Sequence, residues 1–156
     1  MKLQILLMVV FLIILSGAAY SSESSDSASV YNAELAEKLG ADDYGMKQYV
    51  MAFLKAGPNR SQDSLQAAKL QRAHLDNIHR LAEEGKLVLA GPFLDDSEIR
   101  GIYVFNVATI AETRELTQTD PAIQAGRLIM DLYTWYGSAA LLKVNDWHKR
   151  LAKKSF

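Results

Sequence analysis

The sequence predicts an α+β fold: a ferredoxin-like βαββαβ unit with a four-stranded antiparallel sheet, paired with a second copy as a dimeric α/β barrel, plus an extra C-terminal helix. Three observations carry this. Four short segments place aromatic and β-branched residues on both parities, as strands covered on both faces do. Two longer segments with helical periodicity and capping residues fall between the first and second and between the third and fourth of these strands. Two helices hide only one side of such a sheet, and soluble monomers rarely leave a large apolar patch bare, so the second side calls for another cover. A twin subunit is the simplest one, and the C-terminal helix competes for the role.

The chain opens with Lys2, an unbroken apolar run from Ile5 to Leu15, and the small residues Gly17 and Ala19. This is the three-part layout of a secretory signal, and the run is too short to span a bilayer comfortably. Residues 1–19 are therefore expected to be cleaved, leaving 156 − 19 = 137 residues and an exported protein, periplasmic or extracellular. Without Lys2 the balance is 16 basic against 18 acidic residues, a formal charge of −2, which argues against nucleic acid as a partner. Cysteine is absent, so disulfides, thiol catalysis and thiolate metal sites are excluded and the fold rests on burial alone.

Residues 20–45 join a Ser-rich tether to a short helix, NAELAEKLG, with Asn32 in front and Gly40 behind. The domain proper is expected over 46–137. KQYVMAFLK is its first strand, with Tyr49, Met51 and Phe53 on one parity and Val50, Ala52 and Leu54 on the other. Asp63, with Gln66 three residues on, starts a helix running to Glu84 and stopping at Gly85. KLVLAGPF is the second strand, and RGIYVFNVA, with Ile102 and Val104 opposed to Tyr103, Phe105 and Val107, is the third. Thr109 and Glu112 cap a second helix that ends near Asp120-Pro121. Beyond the turn DPAIQAG, RLIMDLYTWYG is the fourth strand, and 138–156 form a closing helix capped by Ser138.

Two of the three histidines, His74 and His79, lie on the first long helix. At about 100° per residue, Ala67, Leu70, His74, Ile78 and Leu81 share an arc of roughly 80°, the width of a core-facing stripe. His74 thus turns toward the sheet. His79 falls on the opposite side, among Lys69, Arg72, Asp76, Arg80 and Glu83, where solvent is expected. A buried imidazole needs a partner for its N–H, and with one it is either a satisfied core residue or an acid–base group. Asp120 is a candidate partner, although Asp before Pro is also a common helix start; both roles are compatible. Gly91 and Pro92, inside a strand, mark either a plain bulge or an edge that another backbone or a ligand approaches. Tyr103, Tyr133 and Trp135 are candidate pocket residues, with core packing as the competing use.

RAHLDNI, GKLVLAGPF and TDPAIQAG, in that order, resemble the YCII-related (YciI-like) family of dimeric α/β barrels over roughly Met46 to Tyr136. The resemblance implies a site in which His74 and Asp120 approach each other as an active-site dyad, with Gly91 and Pro92 after the second strand. An exported chain with extensions at both ends departs from the family's usual cytoplasmic, domain-length members.

The function expected on these grounds is acid–base chemistry of lyase or isomerase type on a small organic molecule, with His74 as base or acid and Asp120 holding its tautomer. A non-catalytic small-ligand-binding or structural dimer is the alternative. No cofactor is expected, and no metal, because only two ligand-type side chains converge where a metal normally takes three or more. Partners are a second copy and a small-molecule ligand. Membrane contact is expected only through the signal or weakly through the basic C-terminal helix, where Val144, Trp147 and Leu151 share a stripe.

Overall fold

A computed structural model describes residues 30–154, so the expected signal and most of the Ser-rich tether lie outside the described residues. Helix α1, Ala33–Leu39, opens on Asn32, whose Oδ1 accepts the Leu35 N–H at 2.9 Å, and closes on Gly40 at φ +63°. Strand β1 is Met46–Ala56, helix α2 Ser64–Glu83, and strands β2 and β3 are Leu87–Pro92 and Ile99–Phe105. Helices α3, Ile110–Thr117, and α4, Pro121–Gln124, precede strand β4, Leu128–Ser138. The expected caps supply N-terminal acceptors: Asp63 Oδ1 takes the Gln66 N–H at 2.8 Å, and Thr109 Oγ1 takes that of Glu112 at 3.1 Å.

The closing segment departs from the single helix expected. Ser138 does cap it, but residues Ala139–Lys143 wind as a 3₁₀ turn before helix α5, Val144–Leu151. The 3₁₀ turn lays Leu141 and Leu142 on the sheet, and Asn145 Nδ2 donates to Leu87 O at 2.8 Å, which ties α5 to β2. DPAIQ forms the short helix α4 on its Asp cap, as the Asp-Pro helix start implies.

The four strands form one antiparallel sheet in the order β2-β3-β1-β4. Register fixes two faces. Val50, Ala52 and Leu54 share one side with Tyr103, Phe105, Leu87 and Leu81 of α2, and this side is the main core, flanked by Ile78, Ile110 and Leu116. Tyr49, Met51 and Phe53 share the other side with Val104, Trp135 and Tyr133. Leu141 and Leu142 cover its Tyr49–Val88–Val104 end. Among the described residues the Phe53 end has no such cover: Tyr133 and Ile129 are 55% and 45% exposed there, beside a shallow depression of about 240 Å³.

Two backbone hydrogen bonds pin the turn that follows α4. Gly57 N–H donates to Arg127 O at 2.7 Å, and Asn59 N–H donates to Gly126 O at 3.0 Å. A Cβ on Gly57 would stand 2.2 Å from Gly126 O, so only glycine permits the approach. The end of β1 thereby holds the turn between α4 and β4.

Candidate active site

Helix α2 turns His74, Asn77 and Leu81 inward, three and four residues apart on one stripe. His74 is 7% exposed and Asp120 1%. Asp120 is the N-cap of α4, with Pro121 at the first helical position, and its two oxygens divide the work. Oδ1 accepts the Ala122 N–H at 2.8 Å, and Oδ2 lies 2.6 Å from His74 Nδ1. The helix-start reading and the imidazole-partner reading of Asp-Pro are thus compatible in one side chain.

A carboxylate only accepts, so a ring that gives its Nδ1–H to Asp120 and carries no second proton keeps its lone pair on Nε2. Tyr103 Oη is 3.2 Å from Nε2, and in that tautomer the phenol O–H donates there. Burial, and then the negative charge of Asp120, push the Tyr103 phenol well above its ordinary range, so it remains a donor. The rings of His74 and Tyr103 stack at 6.2 Å and 19°, and Phe105 meets Tyr103 edge-on at 5.8 Å. Together they form a line, Asp120–His74–Tyr103, from α4 through α2 to β3.

A second polar layer lies beside it. Arg80 Nη2 donates to Asn77 Oδ1 and to Thr119 Oγ1, each at 2.8 Å, and Arg80 Nη1 holds Glu84 at 2.7 Å. This ties α2 to the residue next to Asp120. Asn77, Arg80 and Thr119 were not singled out in the sequence; the signal for Asn77 was its position three residues after His74 on the same stripe.

The other sequence candidates fall elsewhere. Tyr133 and Trp135 stand opposite Met51 and Tyr49 on the other face of the sheet, away from the Ala52–Tyr103 side that faces α2, so they do not line this site. Their parity within β4 says nothing about side until the register with β1 is known. Gly91 and Pro92 lie on the edge strand opposite Ile102 and Gly101, and Ala90 is the residue paired with Tyr103. The close backbone approach belongs to Gly101, where a Cβ would meet Gly91 O at 2.6 Å; a Cβ on Gly91 would meet nothing within 4 Å. The β2–β3 register shifts at Leu87/Leu89, outside the Gly-Pro pair, and the β1–β3 register shifts at Leu54/Lys55, beside Gly101, which pairs with Pro92. His79, expected in solvent, is half-buried and lines a groove whose other wall is α5. Arg72 stays on the surface side and pairs with Asp76 at 3.1 Å. Among the described residues no three His, Cys, Asp or Glu side chains converge as a metal site would require.

The YCII-related domain matches residues 49–135, more than half of the chain. Among solved structures, the 5-chloro-2-hydroxyhydroquinone dehydrochlorinase from Burkholderia phenoliruptrix AC1100, in complex with 2,5-dihydroxybenzoquinone, is similar at 19% identity and a TM-score of 0.43. The likeness covers 57% of this chain and 93% of that one. No curated protein matches the chain.

Proposed function

The chain belongs to the YCII-related domain family, and we propose that it acts on a small organic molecule by acid–base chemistry of lyase or isomerase type, with His74 as the proton carrier and Asp120 as its support. The observation that carries this is the division of the Asp120 carboxylate. One oxygen is spent on the α4 cap, which fixes the group in place, and the other is aimed at Nδ1. Such a carboxylate holds one tautomer and stabilises the imidazolium that forms when Nε2 takes a proton. Tyr103 is the gate in this reading: its O–H occupies Nε2 at rest, so a substrate either displaces the phenol or exchanges its proton through it.

A second reading has a specific observation in its favour. Among the described residues no buried side-chain nitrogen or oxygen lacks a partner, and the Asp120–His74–Tyr103 line is closed at both ends. A structural pair that merely locks α2, α4 and β3 together has this form as well.

We propose further that a second copy covers the Phe53–Tyr133 half of the free face; the exposed apolar residues there support it. Export is part of the same proposal, supported by the signal-like layout of residues 1–19.

The discriminating experiment is proton exchange at carbon. A panel of small carbonyl and quinone compounds is incubated with the protein in deuterium oxide, and deuterium uptake is followed by NMR. The acid–base reading expects uptake by at least one compound, falling about 100-fold or more in His74→Ala. Equal traces for wild type and His74→Ala across the panel would leave the structural reading standing instead.

A further inference from the structure

A second concavity of the described residues lies apart from His74 and Asp120, lined by residues of α2, β2 and α5. Its volume is about 610 Å³, within the range of roughly 300–1,000 Å³ typical of small-molecule sites. Its lining includes an apolar part, Ile78 and Ala82 from α2 with Leu87, Val88 and Leu89 from β2. Its rim is basic, with Lys149 on α5 and Lys153 and Lys154 just beyond it, joined by the imidazoles of His79 and His148. Among the described lining residues Glu83 alone is acidic, so three lysines against one glutamate leave a formal 3 − 1 = +2 before the histidines are counted.

The pairing state of the lysines sharpens the point. Lys55, Lys86 and Lys143 each hold a carboxylate within ion-pair distance. Among the described residues, Lys149, Lys153 and Lys154 form no such pair. Asn145, the uncharged polar residue of the lining, has its amide N–H committed to Leu87 O. An apolar lining beside unmatched cations suits a molecule with one hydrophobic end and one anionic end.

We propose that this groove binds a hydrophobic carboxylate, an alkyl or aryl acid whose body lies on Ile78, Leu87 and Leu89 and whose carboxylate meets Lys149, Lys153 and Lys154. A bare inorganic anion leaves the apolar lining wet, and a neutral lipid leaves the cations unmatched. A flat anionic membrane would instead engage the side of α5 that carries Trp147 and Leu151, which are 57% and 78% exposed and do not line the groove.

The test is calorimetric titration of the full chain with dodecanoate, run beside dodecanol, acetate and vesicles of phosphatidylglycerol. The proposal expects saturable binding of one dodecanoate per chain, with dodecanol and acetate at least tenfold weaker. Lys149→Ala, Lys153→Ala and Lys154→Ala combined should weaken dodecanoate tenfold or more and leave dodecanol unchanged. Ala82→Phe, which fills the apolar part, should abolish dodecanoate binding, and His74→Asn should retain it. The lysine triple lies at exposed positions, so it decides the matter even if Ala82→Phe folds poorly. Equal affinity for dodecanol, indifference to the lysine triple, binding to vesicles alone, or no saturable heat would each overturn the proposal.

Discussion

His74 Nδ1 and Asp120 Oδ2 stand 2.6 Å apart, with side chains that are 9% and 2% exposed, and the remaining carboxylate oxygen caps a helix. Removing the carboxylate has two costs at once. The buried imidazole N–H loses its acceptor, and α4 loses its cap. Asp120→Ala should therefore destabilise the fold by about 3–5 kcal/mol. Asp120→Asn, whose amide oxygen still accepts one bond, should cost less. Urea unfolding midpoints measure both, and a loss under about 1 kcal/mol for Asp120→Ala would mean the pair is not formed.

Tyr103 gives the fold an alkaline weakness with a definite sign. Its phenol is pushed up by burial first and by Asp120 second, whereas in the unfolded chain it ionises near its ordinary value of 10. The folded protein keeps this proton where the unfolded chain has lost it. The resulting stability is fully present below about pH 10 and fades as pH rises above it, by up to about 1.4 kcal/mol per pH unit. Tyr103→Phe should flatten that limb while costing about 1–2 kcal/mol at neutral pH, because Nε2 loses its donor. Tyr49, also pushed up by burial, should leave a residual slope. Unfolding free energies between pH 8 and 11 for the two proteins check this, and parallel curves would contradict it.

Gly57 tests how the site's support is built. Gly57→Ala sets a Cβ against Gly126 O, and backbone must move on one side or the other. A loss of about 2–3 kcal/mol is expected. The displaced turn follows α4, so the amide signals of Asp120 and Ala122 should shift too. Retained stability with unchanged spectra would show that the turn does not anchor α4.

The half-bare sheet face makes a prediction about mass. If a second copy lies on it, sedimentation should give twice the protomer mass, and Phe53→Glu should return the protein to a single protomer. A wild-type protein that sediments as one protomer at micromolar concentration would remove the twin-subunit proposal. Lys55, held by Asp131 at 2.8 Å and Glu98 at 3.0 Å, lies in the same patch and would have to be accommodated in the interface.

Much of the fold was legible because its signals are local. Asn32, Asp63, Thr109 and Ser138 start their segments through side-chain oxygens that accept backbone N–H groups two or three residues on, a geometry set by the residue type itself. Apolar residues of both parities in β1 and β3 announced two covered faces without saying what covers the second. The rest depended on relations between distant segments. Tyr133 and Trp135 take their side from the Met51↔Tyr133 and Tyr49↔Trp135 register, which no property of β4 reveals. His79 shares a groove lining with α5, a helix 65 or more residues downstream in sequence, which no wheel drawn on α2 reveals. The break at Lys143 likewise follows from laying Leu141 and Leu142 on the sheet, a tertiary demand that overrides the helical pattern.

The most direct test of the whole account is the nitrogen-15 spectrum of His74 in the folded, neutral-ring state. A proton on Nδ1 and a bare, accepting Nε2 are required if Asp120 holds the ring and Tyr103 donates to it, and Asp120→Asn should disturb that pattern while Tyr103→Phe preserves the protonated Nδ1. A wild-type ring protonated on Nε2, or one whose spectrum ignores Asp120→Asn, would contradict the account at its centre.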